Sequence, residues 1–137
     1  MKLEQQVVSP ELAKQIKEAG YPQDSHFWHW FDDNKKYIGI TDWLSITELN
    51  PGHGPSDVAK YKNYIAAPTV AELGEKLPGL INYKGLKNLY ASFYKSVLFE
   101  CGYFDVDDKS YFESSEDKSE ADARAKCWLY LKKEGLL

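Results

Sequence analysis

Arginine is almost missing from this chain: Arg124 stands alone beside sixteen lysines. The guanidinium fork is the side chain suited to bidentate recognition of phosphate or carboxylate, so its scarcity argues against a phosphate-reading site. Cysteine is also sparse. Cys101 and Cys127 lie far apart with no CxxC pair, which excludes a zinc knuckle or a thioredoxin-like centre and predicts two free, buried thiols. No apolar run approaches the ~20 residues of a membrane span. The opening Met1–Gln6 lacks the apolar core of a signal peptide, so a soluble, cytoplasmic protein is expected. Positive charge is in deficit as well: a net charge of −4 argues against nucleic acid or an anionic membrane as a general partner.

Catalytic and cofactor signatures are equally scarce. There is no GxSxG elbow, and neither cysteine has a histidine near it in sequence. Gly52-His53-Gly54 has neither the glycine spacing nor the Lys-Ser/Thr of a phosphate loop. Asp105, Asp107, Glu113 and Glu116 fall at calcium-loop positions, but Lys109 occupies a ligand position and Ser110 stands where glycine is required. No enzyme, cofactor or metal site is expected.

What the chain has in quantity is aromatic rings: ten Tyr, six Phe and four Trp, or 15% of 137 residues, so large rings must build much of the core. The length suits one domain spanning 1–137. Four rings and two imidazoles fall together in His26-Phe27-Trp28-His29-Trp30-Phe31. As a strand this places Phe27, His29 and Phe31 on one face and Trp28 and Trp30 on the other, so both faces are covered or one is kept for a partner. The same alternation separates His26 from His29, which weakens a metal site with Asp32 or Asp33. Asp32–Lys35 is turn chemistry and Tyr37–Thr41 the returning strand, with Gly39 giving room for an indole.

The helices carry clear punctuation. Ser9 is a natural N-cap before Pro10, and Gly20, Tyr21 and Pro22 end the first helix in a Schellman turn on Ile16. Thr69 and Glu72 form a capping box for a second helix, which Gly74 weakens by ~1 kcal/mol relative to alanine. Ser119 and Asp122 start a last helix on a face of Ala121, Ala125, Trp128 and Leu129, stopped by Gly135. Between the helices, Leu86–Tyr94 and Leu98–Phe104 read as strands. Residues 42–66 read as irregular around an exposed Asn50–Ser56 loop, and 105–118 as an acidic loop.

Three stretches resemble a group of small uncharacterised proteins of bacteriophages, prophages and bacterial, including Bacteroidetes-type, genomes. They are Leu12–Gln23 (LAKQIKEAGYPQ), Ala66–Leu73 (AAPTVAEL) and Ala121–Leu131 (ADARAKCWLYL), about a quarter of the chain. The resemblance implies a compact α+β unit and no assigned activity. The aromatic stretch and the Asn50–Ser56 loop lie outside it.

These readings converge on an α+β fold, with a small antiparallel sheet of about four strands and about three helices packed on it. The expected function is a non-enzymatic protein-interaction or accessory module of phage, mobile-element or bacterial origin. It would bind a protein partner or a second copy through Trp28, Trp30, Trp43 and His53. One alternative is single-stranded nucleic-acid binding through aromatics and Lys35, Lys36, Lys60, Lys62, Lys84 and Lys87. Another is an enzyme site assembled in space around His26, His29 or His53. The expectation for the aromatic stretch itself is burial, with Trp128 over one face and the first helix over the other.

Overall fold

The computed structural model describes residues 2–47, 54–83, 86–95, 98–105 and 111–137. A short α1 (Leu3–Gln6) precedes α2 (Pro10–Glu18), which ends as its sequence dictates. Gly20 takes φ +97°, and Gly20 and Tyr21 donate their N–H groups to the Lys17 and Ile16 carbonyls at 3.0 and 2.8 Å. The hairpin follows as β1 (Phe27–Phe31) and β2 (Tyr37–Asp42). A bulge at Trp30/Phe31 lies beside a turn in which Lys35 adopts φ 64°.

Residues 42–47 and 54–66, expected to be irregular, are largely regular. They contain α3 (Trp43–Thr47), a 3-10 turn (Pro55–Lys60) and β3 (Tyr64–Ala66), which pairs antiparallel with β1. Residues 48–53, including His53, lie outside the described residues. The capping box of α4 (Val70–Lys76) is formed: Glu72 N–H donates to Thr69 Oγ1 at 3.2 Å, and Thr69 N–H to Glu72 Oε1 at 3.1 Å.

The strand-rich segment forms an antiparallel meander, β4 (Leu80–Tyr83), β5 (Leu86–Lys95), β6 (Leu98–Asp105) and β7 (Tyr111–Asp117). Two of these four were expected. β4 was not anticipated, and β7 replaces the second half of the expected acidic loop. The polar run Glu113-Ser114-Ser115-Glu116-Asp117 suits β7 because it is an edge strand, where charge discourages pairing with another chain. Of the calcium-loop positions, Asp107, Lys109 and Ser110 lie outside the described residues. The chain closes with α5 (Glu120–Lys133), capped by Ser119 and ended by Gly135 at φ +70°.

The fold is therefore α+β, its strands divided between an antiparallel three-stranded sheet in the order β2-β1-β3 and the four-stranded meander. α5 is the central element. Ala121, Ala123, Ala125, Cys127, Trp128 and Leu131 are all buried on it, and the small residues let it lie close to β6 and β7 on one side and to α2 and α4 on the other. The main core joins it to Leu12, Ala13 and Ile16 of α2, Leu73 and Leu77, Ile81, Cys101 and Tyr103. Tyr103 satisfies its buried hydroxyl by donating to the Pro78 carbonyl at 2.6 Å. A second, smaller cluster gathers Trp28, Val58 and Ala66 under Trp43, Ile46 and Tyr64.

Ser9 behaves differently from its N-cap expectation. Its side chain makes no cap bond; instead its backbone N–H donates to Asp122 Oδ1 at 2.8 Å, joining the starts of α2 and α5. Burial raises the Asp122 pKa, against the Ser9 hydrogen bonds that favour the carboxylate. Gly74 has an equally specific reason. The Arg124 guanidinium lies where a Cβ at residue 74 would be, held there by Nη1 donating to the Val70 carbonyl and Nη2 to Glu120 Oε1, each at 3.0 Å.

Candidate functional site

The aromatic strand β1 is the natural place to look for a site, and its two faces have different fates. On one face His29 and Phe31 turn toward α2 and the residues before it. On the other, Trp28 is wholly buried between Val58 and Ala66 and is covered by Trp43 and Ile46. The expected cover by Trp128 is not found: its ring packs edge-on against Tyr21 in the main core, with centroids 5.1 Å apart. The outer face is closed by α3 and the 3-10 turn, elements that have no strong apolar period in the sequence.

Of the four expected contact residues, Trp28 is inaccessible and its indole N–H finds no acceptor among the described residues. Trp43 is half-buried as part of the cover, and His53 lies outside the described residues. Trp30 alone remains open, at 40% exposure. The expectation about Gly39 fails as well. It pairs with Trp30, but a Cβ there would meet nothing within 4 Å, so no indole lies on it. Trp30 stacks instead across the strand pair on Tyr64, centroids 6.3 Å apart and planes 13° from parallel. Tyr61 then meets Tyr64 edge-on at 6.3 Å and is itself 40% exposed. These three rings form a continuous aromatic row at one end of the sheet. Sequence reasoning missed Tyr61 and Tyr64 because β3 is only three residues long and sits in a segment dominated by breakers.

His29 is a structural histidine. Its Nε2 lies 2.6 Å from the Val8 carbonyl, which can only accept, so the proton is on Nε2 and Nδ1 accepts from the Tyr37 hydroxyl at 3.1 Å. Burial holds its pKa below the ordinary 6.5. His26 is exposed and borders a cavity of about 370 Å³ with Asp24, Glu72 and Glu75. Glu72 is already engaged there, accepting from Thr69 N–H, from the Ser25 hydroxyl at 3.0 Å and from His26 N–H at 3.4 Å. No described side chain hydrogen-bonds the His26 imidazole. The two histidines are thus held apart, and among the described residues no group of three or more His, Cys, Asp or Glu is placed to hold a metal ion.

Cys101 and Cys127 are free and buried. They meet across β6 and α5: Cys101 donates to the Ala123 carbonyl at 3.0 Å, and its hydrogen bond to Cys127, together with burial, pushes its thiol pKa far up. The Cys101 thiol is therefore a poor nucleophile. Of the lysines expected to cluster, Lys35 and Lys62 do come together, joined by Lys14 and Lys17 of α2. Lys36 is exposed nearby, while Lys84 and the side chains of Lys60 and Lys87 lie outside the described set. Among the described residues no helix is long and apolar enough to cross a membrane.

Comparison with family models, curated proteins and solved structures finds no match for this chain. Any function has to be argued from the geometry itself.

Proposed function

We propose that the chain is a non-enzymatic interaction module that engages a protein partner through the row Trp30, Tyr64 and Tyr61. The observation that carries this reading is the presentation of Trp30 and Tyr61, each 40% exposed and each packed on the Tyr64 ring, at one end of the sheet. Trp and Tyr are favoured anchors at interfaces because they bury much area while freezing few torsions. Rings already fixed by one another lose less entropy on binding. The resemblance to phage and prophage proteins makes a bacterial host protein the class of partner to try first, in an accessory role.

The test is affinity capture from a host lysate by the intact chain and by a Trp30→Ala/Tyr61→Ala variant, each with and without nuclease. A protein retained after nuclease and lost with the variant supports the reading. Equal capture by both chains removes it.

A second reading is favoured by one observation: Lys35 and Lys62 lie at the same end of the sheet as the aromatic row. Bases stacked on Trp30 and Tyr61 beside these ammoniums would make a single-strand binder, at ~1–3 kcal/mol per stacked base. Quenching of Trp emission by oligo(dT), repeated across a salt series, tests it. Binding must weaken steeply with salt, and no quenching at low salt refutes it.

A further inference from the structure

The hairpin turn, α2 and the residues leading into β3 enclose a cavity of about 300 Å³ lined by Lys14, Lys17, Phe31, Asp33, Lys35 and Lys62 among others. Lys14 and Lys17 stand one turn apart on α2, where like charges repel. None of the four ammoniums has an ion pair or a hydrogen bond to a described residue. The nearby carboxylates are occupied otherwise. Asp32 Oδ1 accepts from the Asn34 and Lys36 N–H groups at 2.9 and 2.8 Å, and Asp33 Oδ1 accepts from the Asn63 amide at 3.1 Å. Four lysines against these two aspartates leave a local surplus of two positive charges, on a chain whose net charge is −4.

The walls add chemistry to the charge. Phe31 and Ile65 supply an apolar side, with the Lys14 ammonium 4.7 Å from the Phe31 ring centroid. Lys35 holds a left-handed backbone at φ 64°, where glycine would be at ease, and this turn directs a charged residue to the cavity rim. Ammoniums act as mobile point charges. A phosphoryl group of nearly two negative charges matches the surplus without the planar fork that arginine provides. A volume at the lower end of the range for ligand pockets suits a small molecule rather than a dinucleotide.

We propose that this cavity binds a small phosphomonoester bearing an apolar ring, with the phosphoryl group among Lys14, Lys17, Lys35 and Lys62 and the ring against Phe31 and Ile65. The site is separate from the protein interface proposed above and does not depend on it.

The test is a ¹H–¹⁵N NMR titration of the full chain with phenyl phosphate, run beside inorganic phosphate, benzyl alcohol and (dT)8. Saturable shifts are expected at Lys14, Lys17, Lys35, Lys62 and Asn63, with a Kd of roughly 1 mM, within reach of a ligand of about eleven heavy atoms. Inorganic phosphate should bind more weakly and benzyl alcohol not at all. Lys35→Gly removes one charge while relieving the left-handed backbone. It should keep or raise the melting temperature yet weaken phenyl phosphate about fivefold, and Lys62→Gln should do the same to affinity. Four results overturn the proposal: no saturable shift by about 20 mM, equal binding of inorganic phosphate, unchanged affinity in both variants, or (dT)8 binding tighter at the same residues.

Discussion

Gly74→Ala should destabilise this protein even though it improves a helix, and Arg124 is the reason. In an exposed helix interior the change would gain ~1 kcal/mol. Here an added Cβ would collide with Arg124 Nη1, a group with real commitments. The guanidinium donates to the Val70 carbonyl and to Glu120, its side chain is only 17% exposed, and it lies 5.9 Å from the Tyr90 ring centroid. Displacing it forfeits the charged hydrogen bond to Val70, worth ~1.5–3 kcal/mol when buried. The partly exposed i,i+4 pair with Glu120 adds only ~0.3–0.5 kcal/mol. The loss exceeds the propensity gain, so a net destabilisation of ~1–2 kcal/mol is expected. With Arg124→Ala as the background the clash is gone, and Gly74→Ala should stabilise by ~1 kcal/mol. Urea denaturation of all four chains in this double-mutant cycle, at constant m, should give a coupling of ~2–3 kcal/mol. The same differences should appear as about 3–4 °C per kcal/mol in Tm for a chain of this length. Additivity within ~0.5 kcal/mol, or stabilisation by Gly74→Ala in the natural background, would refute the packing argument.

Trp28→Ala should cost ~3–5 kcal/mol because it empties the centre of the smaller core, whereas Trp30→Ala should cost about 1 kcal/mol or less; thermal melts of the two variants would contradict this if their order were reversed. His29 carries a pH dependence of definite sign. Its folded pKa lies below 6.5, so as pH falls through that window the unfolded chain takes up the extra proton first, and stability drops at up to ~1.4 kcal/mol per pH unit. A His29→Gln chain should show a flatter profile below pH 6.5, and parallel profiles for the two proteins would remove His29 as the cause. Cys101 and Cys127 should resist an aromatic disulfide reagent until denaturant is added, and both titrating within minutes in the native state would contradict their burial.

Punctuation was the most legible part of the sequence. Ser119, Thr69 with Glu72, and the Gly20-Tyr21 stop each act through bonds within a few residues, so the helix boundaries follow from local chemistry. The hairpin was legible for the same reason, through Asp32 and its turn. Elements that take their identity from neighbours were not. β3 is three residues whose pairing partner lies more than thirty positions earlier, and β7 looks like a loop because an edge strand needs little apolar surface. The aromatic row was half legible. Trp30 stood out, but its stacking on Tyr64 depends on β3, and Trp28 looked equally available until α3 and the 3-10 turn covered it. The lysine cavity was invisible for a related reason: Lys14 and Lys17 sit on a helix and Lys35 and Lys62 on two different loops, and only the fold gathers them.

The bond from Ser9 to Asp122 also sets an order of events during synthesis. Val8 N–H donates to the Pro68 carbonyl at 3.0 Å, Val7 bridges Thr69, and Ser9 reaches a residue 113 positions further on. A ribosome delivers residues 7–9 more than a hundred positions before α5, which carries their last partner. Loop closures of this length are slow relative to local helix formation. Residues 7–9 are thus made well before they can be secured. A pulse of protease during synthesis should cut near residues 7–9 until α5 has emerged from the ribosome.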